Sequence, residues 1–354
     1  MHMADALLAP ATAAVMYAAS AATVGVSIHE LKKDENPQKL PMMAVSAALV
    51  FAGQMINYTI PGTGSSGHLC GGMLLSALLG PHAGFLSMVV ILAIQCLFFA
   101  DGGLMALGAN CWNMAFYGCF IGYFLIWRPI MRSGLFGKLG ARAALRAKII
   151  TASVIGCVVS LQLGAFSVVV ETSLSGITEL PFGAFCALMQ PIHLAIGLVE
   201  GLITSAVLVF VAECRPELLQ AVEADKQGLS AKRSLKATVA IIAVAVVLVG
   251  GALSLFASSN PDGLEWALFG NADAGYSENM ALDEDNFGKE SSVADAAAAV
   301  QEKTAFLPDY AFADSDSAAG TTVSGLLGSA IVAAVAVGVC ALGGFFRRKK
   351  QKSK

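Results

Sequence analysis

The chain of 354 residues is 56% hydrophobic and 13% charged, with a net charge of −3 and a mean hydropathy of +0.70. Soluble domains carry about 25% charged residues, so this composition excludes an ordinary soluble enzyme, a disordered chain and a nucleic-acid binder. It indicates an all-α integral membrane protein whose surroundings are lipid.

A membrane helix needs roughly 20 apolar residues. Uncharged stretches run over 7–28, 42–60, 69–100, 103–127, 149–170, 237–257 and 323–346, and 180–212 is interrupted by Glu200 alone. Stretch 69–100 is too long for one straight crossing. Gly80-Pro81 cuts it, because proline removes a helix donor and clashes with the preceding turn. This predicts a full helix at 82–100 and a short one at 69–79. The short piece covers about 16 Å, half the hydrocarbon core. Its flanking loop, 57–68, must then dip to membrane depth, where irregular backbone is tolerated only inside protein or facing a water-filled cavity. Broken helices of this kind mark transporter binding sites.

Of the 22 Lys and Arg, 20 fall in four clusters. They are Lys32, Lys33 and Lys39; Arg128 to Lys148; Arg215 to Lys236; and Arg347 to Lys354. Cytoplasmic loops carry such excess, and all four share one side only if 69–79 crosses. The expectation is nine crossings, with the N-terminus outside and the C-terminus cytoplasmic. Residues 1–214 form a seven-helix core with a short broken helix, and 215–236 a basic cytoplasmic linker. Residues 237–346 form a two-helix module, and 347–354 a basic tail. The module's external loop, 258–322, holds 13 acidic residues against two lysines. It reads as a solvated linker, largely disordered over its Ala/Asp/Ser-rich part, 291–320. The eight cysteines lie in or beside the spans without a C-x-x-C pair, as small apolar packing residues.

No basic region precedes the first apolar stretch, and the first lysine is Lys32. A secretory signal is therefore not expected. The bulky His2 disfavours methionine removal, so the mature chain is expected to start at Met1. A free amine followed by histidine offers three nitrogens in sequence: the Met1 amine, the His2 backbone nitrogen and the His2 imidazole. They close a five-membered and a six-membered ring around a metal in one plane, which suits Ni(II) or Cu(II). A fourth nitrogen completes the square, and His68, at the start of the short helix, is the candidate. Glycines around it let backbones approach closely, and Asn57, Ser65 and Ser66 are candidates to hydrogen-bond the ligands. Met3 is expected to line the fold. The glycine-rich segment lacks the Lys-Ser/Thr ending of a P-loop, and no other nucleotide-binding motif is present.

These residues carry a resemblance. The Met-His start, Asn-Tyr-Thr-Ile-Pro-Gly-Thr-Gly-Ser-Ser-Gly-His-Leu at 57–69, Phe-Phe-Ala-Asp-Gly-Gly at 98–103, Ala-Leu-Gly-Ala-Asn-Cys-Trp-Asn-Met at 106–114 and His-Leu-Ala-Ile-Gly-Leu-Val-Glu-Gly at 193–201 resemble the CbiM/NikM family. Its members are substrate-binding membrane subunits of energy-coupling-factor transporters for cobalt and nickel. Residues 260–266, Asn-Pro-Asp-Gly-Leu-Glu-Trp, resemble the start of the CbiN/NikN-like Pro-Asp-Gly-Leu-Glu accessory domain, here fused. The resemblance implies an inserted N-terminus that chelates the ion through Met1, His2 and the histidine matching His68. It implies Co(II) or Ni(II) as transported substrate with no organic cofactor, feeding cobalamin synthesis or nickel enzymes. The implied partners are ATPase subunits and a transmembrane coupling subunit (CbiO/CbiQ-like) in a bacterial plasma membrane. The family often has a bulky aliphatic third residue where this chain has Met3, which leaves the chelating atoms unaffected.

Gln190, His193 and Glu200 lie on one face of a single helix. Ionisable residues inside a span are costly and usually functional, yet they also fasten helices together, and both roles stay open here. Asp101 is either a turn residue or an organiser of the metal loop. Asn110 and Asn113 are expected to bond between helices. Two rivals to a metal-capture subunit remain. One is a proton-coupled secondary transporter using His193 and Glu200; the other is an intramembrane metalloenzyme, for which no general base is visible near His68.

Overall fold

In a computed structural model the chain is nearly all helical. The structure describes residues 1–33, 39–222, 228–276, 279–280, 282, 287–312 and 319–352. Residues 223–227 of the linker, 277–278, 281, 283–286 and 313–318 of the acidic loop, and 353–354 of the tail lie outside the described residues.

A buried N-terminal segment precedes α1 (Pro10–Leu31), which opens on a proline whose missing N–H costs nothing at a first helical position. Helix α2 (Lys39–Gln54) leads to an antiparallel hairpin, β1 (Tyr58–Ile60) and β2 (Ser65–Gly67), with Thr59 opposite Ser66. The core is completed by α3 (Gly72–Leu79), α4 (Pro81–Phe99), α5 (Leu107–Arg132), α6 (Ala141–Leu174) and α7 (Phe182–Cys214). Beyond the linker come α8 (Leu235–Phe256), α9 (Gly263–Phe269), α10 (Ser292–Thr304) and α11 (Ala319–Lys352).

The core thus has seven helices, one of them short and broken, and the module adds two long ones. Among the described residues, seven helices are long and apolar enough to cross a membrane: α1, α4, α5, α6, α7, α8 and α11. The other two expected crossings, α2 and α3, are shorter. Helix α3 has eight residues, all buried, and spans about 12 Å. It starts three residues later than expected, because Gly71 takes a left-handed φ of 87° and the Glu200 carboxylate takes the N–H groups of Cys70 and Gly71, both at 2.9 Å. Gly80, at φ 85°, and Pro81 separate α3 from α4 as expected.

Two basic clusters meet at one end of the bundle. Glu213 at the end of α7 accepts from Arg146 of α6 and Lys232 of the linker, each at 2.8 Å. The acidic loop departs from expectation. Its 291–320 part contains α10, capped by Ser291, whose Oγ accepts from Ala294 N at 3.1 Å, and built on an alanine run that favours helix. Gln301 of α10 docks on the core, donating to the carbonyls of Cys96 (3.0 Å) and Gly102 (2.9 Å).

Glycines set the tightest approaches. At Gly118 of α5, an added Cβ would lie 3.0 Å from the Gly72 Cα at the start of α3. Gly118→Val is expected to push α3 aside at a cost of about 1–3 kcal/mol. It should appear as a lowered thermal unfolding midpoint in detergent.

Candidate metal centre

The site is built on the N-terminal segment, which runs into the core ahead of a short helical turn at Asp5–Leu7. Asn110 of α5 pairs with Met3 in both directions: Met3 N donates to its Oδ1 at 2.8 Å, and its Nδ2 donates to Met3 O at 3.2 Å. Gly103 N donates to Met3 O at 2.9 Å, and Ala106 N to Asp5 Oδ1 at 2.9 Å. Met3 is wholly buried, with its sulfur 3.6 Å from Asn113 Nδ2. Asn110 therefore holds the terminus rather than a neighbouring helix. Asn113 does bond between helices, to Glu171 of α6 at 2.8 Å.

This path brings Met1, His2 and His68 together. The Met1 amine is 3.3 Å from His68 Nε2, and the two imidazoles stack with centroids 5.4 Å apart. His68 Nδ1 faces the Leu69 carbonyl at 3.1 Å. A carbonyl only accepts, so Nδ1 carries the hydrogen and Nε2 presents its lone pair to the amine.

The His2 tautomer follows from a chain of amides. Gln54 Nε2 donates to the Cys70 carbonyl at 2.8 Å, and Gln95 Nε2 donates to Gln54 Oε1 at 2.9 Å. Gln95 Oε1 is left facing His2 Nε2 at 3.3 Å, so Nε2 must donate. That leaves Nδ1 as the nitrogen open to a cation. It lies 3.1 Å from Asp101 Oδ1, so an ion bound at Nδ1 would have the carboxylate beside it. Burial drives the His2 pKa down to about 4, against the upward pull of Asp101. The ring is thus neutral near pH 7, as a ligand must be.

Asp262 belongs to this site although nothing in its sequence context marks it as a member. It sits at the N-cap of α9, where Oδ1 accepts from Leu264 N (2.7 Å) and Glu265 N (3.0 Å). Glu265 reciprocates by accepting from Asp262 N at 3.0 Å, a capping box. The free oxygen, Oδ2, pairs with the Met1 amine and lies 3.6 Å from His68 Nε2. Burial pushes this carboxyl up, but the Met1 ammonium outweighs it and holds it well below the usual range. The D-x-x-E spacing was the available sequence signal, and it announced a helix start, not a contact 261 residues away. Tyr310 of the module donates to Asp101 Oδ2, and burial and that carboxylate keep its phenol well above its ordinary pKa.

The remaining candidates have other partners. Ser66 N and Oγ donate to the carbonyls of Pro261 and Asn260, both at 2.8 Å. Ser65 Oγ faces the Ser66 and Pro261 carbonyls, and Asn57 O accepts from Ser258 N at 2.7 Å. These three seat the module's 258–262 segment, and their polar contacts do not reach the imidazoles. Gln190 exchanges hydrogen bonds with Gln162 between α6 and α7, and both Glu200 oxygens are taken by the start of α3. His193 borders a small cavity of ≈ 10 Å³ together with Met1, His68 and Asp262, room for about one water or one ion. Among the described residues, no group of three or more His, Cys, Asp or Glu side chains stands close enough to hold a metal ion without moving.

Comparison with known proteins identifies the scaffold. The cobalt uptake substrate-specific transmembrane region, CbiM, matches residues 2–218. The chain belongs to the CbiM family. A PDGLE domain matches residues 236–343, so the accessory unit is fused to it. A chain named as a fused nickel transport protein, NikMN, from Archaeoglobus fulgidus is 36% identical over 95% of this chain and 96% of its own length. The cobalt transport protein CbiM of Sorangium cellulosum is 31% identical over 62% of this chain and 94% of its own. The crystal structure of a truncated transition metal transporter superposes with a TM-score of 0.51 at 33% identity, over 60% of this chain and 99% of that one. The chain is a multi-pass membrane protein for cobalt or nickel transport, not an enzyme.

Asn110→Ala removes both bonds that hold Met3, each worth about 1 kcal/mol. It is expected to weaken metal binding about thirtyfold in calorimetric titration, with the fold retained.

Proposed function

We propose that this chain captures Co(II) or Ni(II) at the outer face of a bacterial plasma membrane through its own N-terminus. The ligands are the Met1 amine, the His2 backbone nitrogen, His2 Nδ1 and His68 Nε2. The observation that carries this is the 3.3 Å approach of the amine to a His68 nitrogen whose lone pair faces it. Two nitrogens at right angles on a metal about 2.0 Å away stand roughly 2.8 Å apart, so a shift of about half an ångström closes this pair onto an ion. The amide chain through Gln54 and Gln95 leaves free the imidazole nitrogen that a six-membered chelate ring requires.

The amine and the His2 amide must both shed protons to bind. The ion therefore displaces the proton that the Met1–Asp262 pair holds, and the Asp101 carboxylate offsets part of the arriving charge. Planar nitrogen coordination favours nickel, while an added axial donor suits cobalt.

The chain serves as the specificity subunit of an ATP-driven energy-coupling-factor importer, with ATPase and coupling subunits as separate chains. The N-terminus lies outside. The end of the bundle where Glu213 gathers Arg146 and Lys232 faces the cytoplasm, as basic loops do. The imported ion supplies cobalamin synthesis or nickel enzymes.

One extra residue before Met1 turns the amine into an amide. The planar-type visible band of the Ni(II) complex is expected to vanish, with affinity lowered by at least about a hundredfold, some 2.8 kcal/mol. An unaltered band and affinity would contradict the chelate. His68→Ala is expected to abolish uptake by cells at normal expression; normal uptake would remove His68 from the ligand set.

A further inference from the structure

His193 is 1% exposed. Its Nδ1 lies 2.8 Å from the Met189 carbonyl, so Nδ1 carries the hydrogen and Nε2 the lone pair. That Nε2 has no hydrogen-bond partner among the described residues. A buried polar atom left unsatisfied costs about 1–3 kcal/mol, and this one borders the cavity shared with His68 and Asp262. Gly263, beside Asp262, leaves the nitrogen uncovered: a Cβ there would stand 3.3 Å from Nε2. An imidazole fixed by a carbonyl on one nitrogen and bare on the other is the arrangement of a metal-ligating histidine.

We propose that His193 Nε2, His68 Nε2 and the Asp262 carboxylate, which line one cavity, close onto the divalent cation as a second position for it, one that does not use His2. The His2 ring is held away from this cavity by Asp101 and Gln95. Two donors on a tetrahedral ion at about 2.0–2.1 Å stand roughly 3.3 Å apart, close to the 3.6 Å between Asp262 Oδ2 and His68 Nε2. Two imidazoles and a carboxylate suit Co(II), Ni(II) or Zn(II). Binding here needs no amide deprotonation. The ion is held in this position first and passes to the terminal chelate by exchanging Asp262 and His193 for the nitrogens of Met1 and His2. His68 serves both positions, so the cavity holds one ion at a time.

This rests on the cavity being where the ion is held, and its test is separate from that of the terminal chelate, which the N-terminal extension addresses. The full-length chain carrying His2→Gln, whose bulky second residue keeps Met1 in place, is purified in detergent and titrated with Co(II) chloride. The expected result is one Co(II) per chain, with the intense visible band of a tetrahedral site and two imidazoles counted by X-ray absorption at the cobalt edge. Adding His193→Gln should weaken this binding at least tenfold and reduce the count to one. Absence of Co(II) binding by the His2→Gln chain would overturn the proposal, as would equal binding with and without His193→Gln. A count of one imidazole in the His2→Gln chain alone would also overturn it, and that measurement requires no variant of His193.

Discussion

A terminal ammonium cannot be buried in a membrane protein without a partner. Met1 is 5% exposed, and an unpaired charge there would cost several kcal/mol. The structure meets this constraint with the Asp262 carboxylate and the His68 lone pair, and much of the architecture serves to bring them in. The N-terminal segment is laid against Asn110 and Gly103 so that the amine reaches the cavity. The short α3 exists so that His68 can precede it at depth, and Glu200 satisfies the backbone that the break exposes.

The accessory module is part of this arrangement. Its 258–262 segment is seated on Ser65 and Ser66, and Trp266 Nε1 and Asn271 Nδ2 donate to the carbonyls of Thr63 (2.8 Å) and Gly64 (2.7 Å). From that seat Asp262 reaches the amine and Tyr310 reaches Asp101. Each carboxylate at the centre is therefore either supplied or held by the module. Fusion keeps these contacts at a high local concentration that a separate chain would have to reach by binding.

Much of this was legible in the sequence. Hydropathy located every long helix, Gly80-Pro81 marked the break, and the order of nitrogens in Met1-His2 announced a chelator before any neighbour was known. What escaped was what only tertiary contact creates. Asp262 reads locally as a helix cap, and its second oxygen has no sequence signature. Gln54 and Gln95 lie on different helices, so their relay to His2 is invisible in one dimension. Glu200 reads in sequence equally as an ion-path residue and as a fastener of helices, and only the placement of α3 shows that its oxygens hold backbone N–H groups. Helix α10 was hidden by a composition that suits disorder as well as helix, and the hydrogen bonds of Gln301 to the core tip the balance.

Capture of the ion depends on the Met1 amine being a ligand. An anomalous diffraction map of the Ni(II)-loaded chain at the nickel edge tests this. A single peak is expected about 2 Å from the Met1 amine, the His2 backbone nitrogen, His2 Nδ1 and His68 Nε2, with Asp262 released from the amine. A peak elsewhere, with the amine still paired to Asp262, would contradict it.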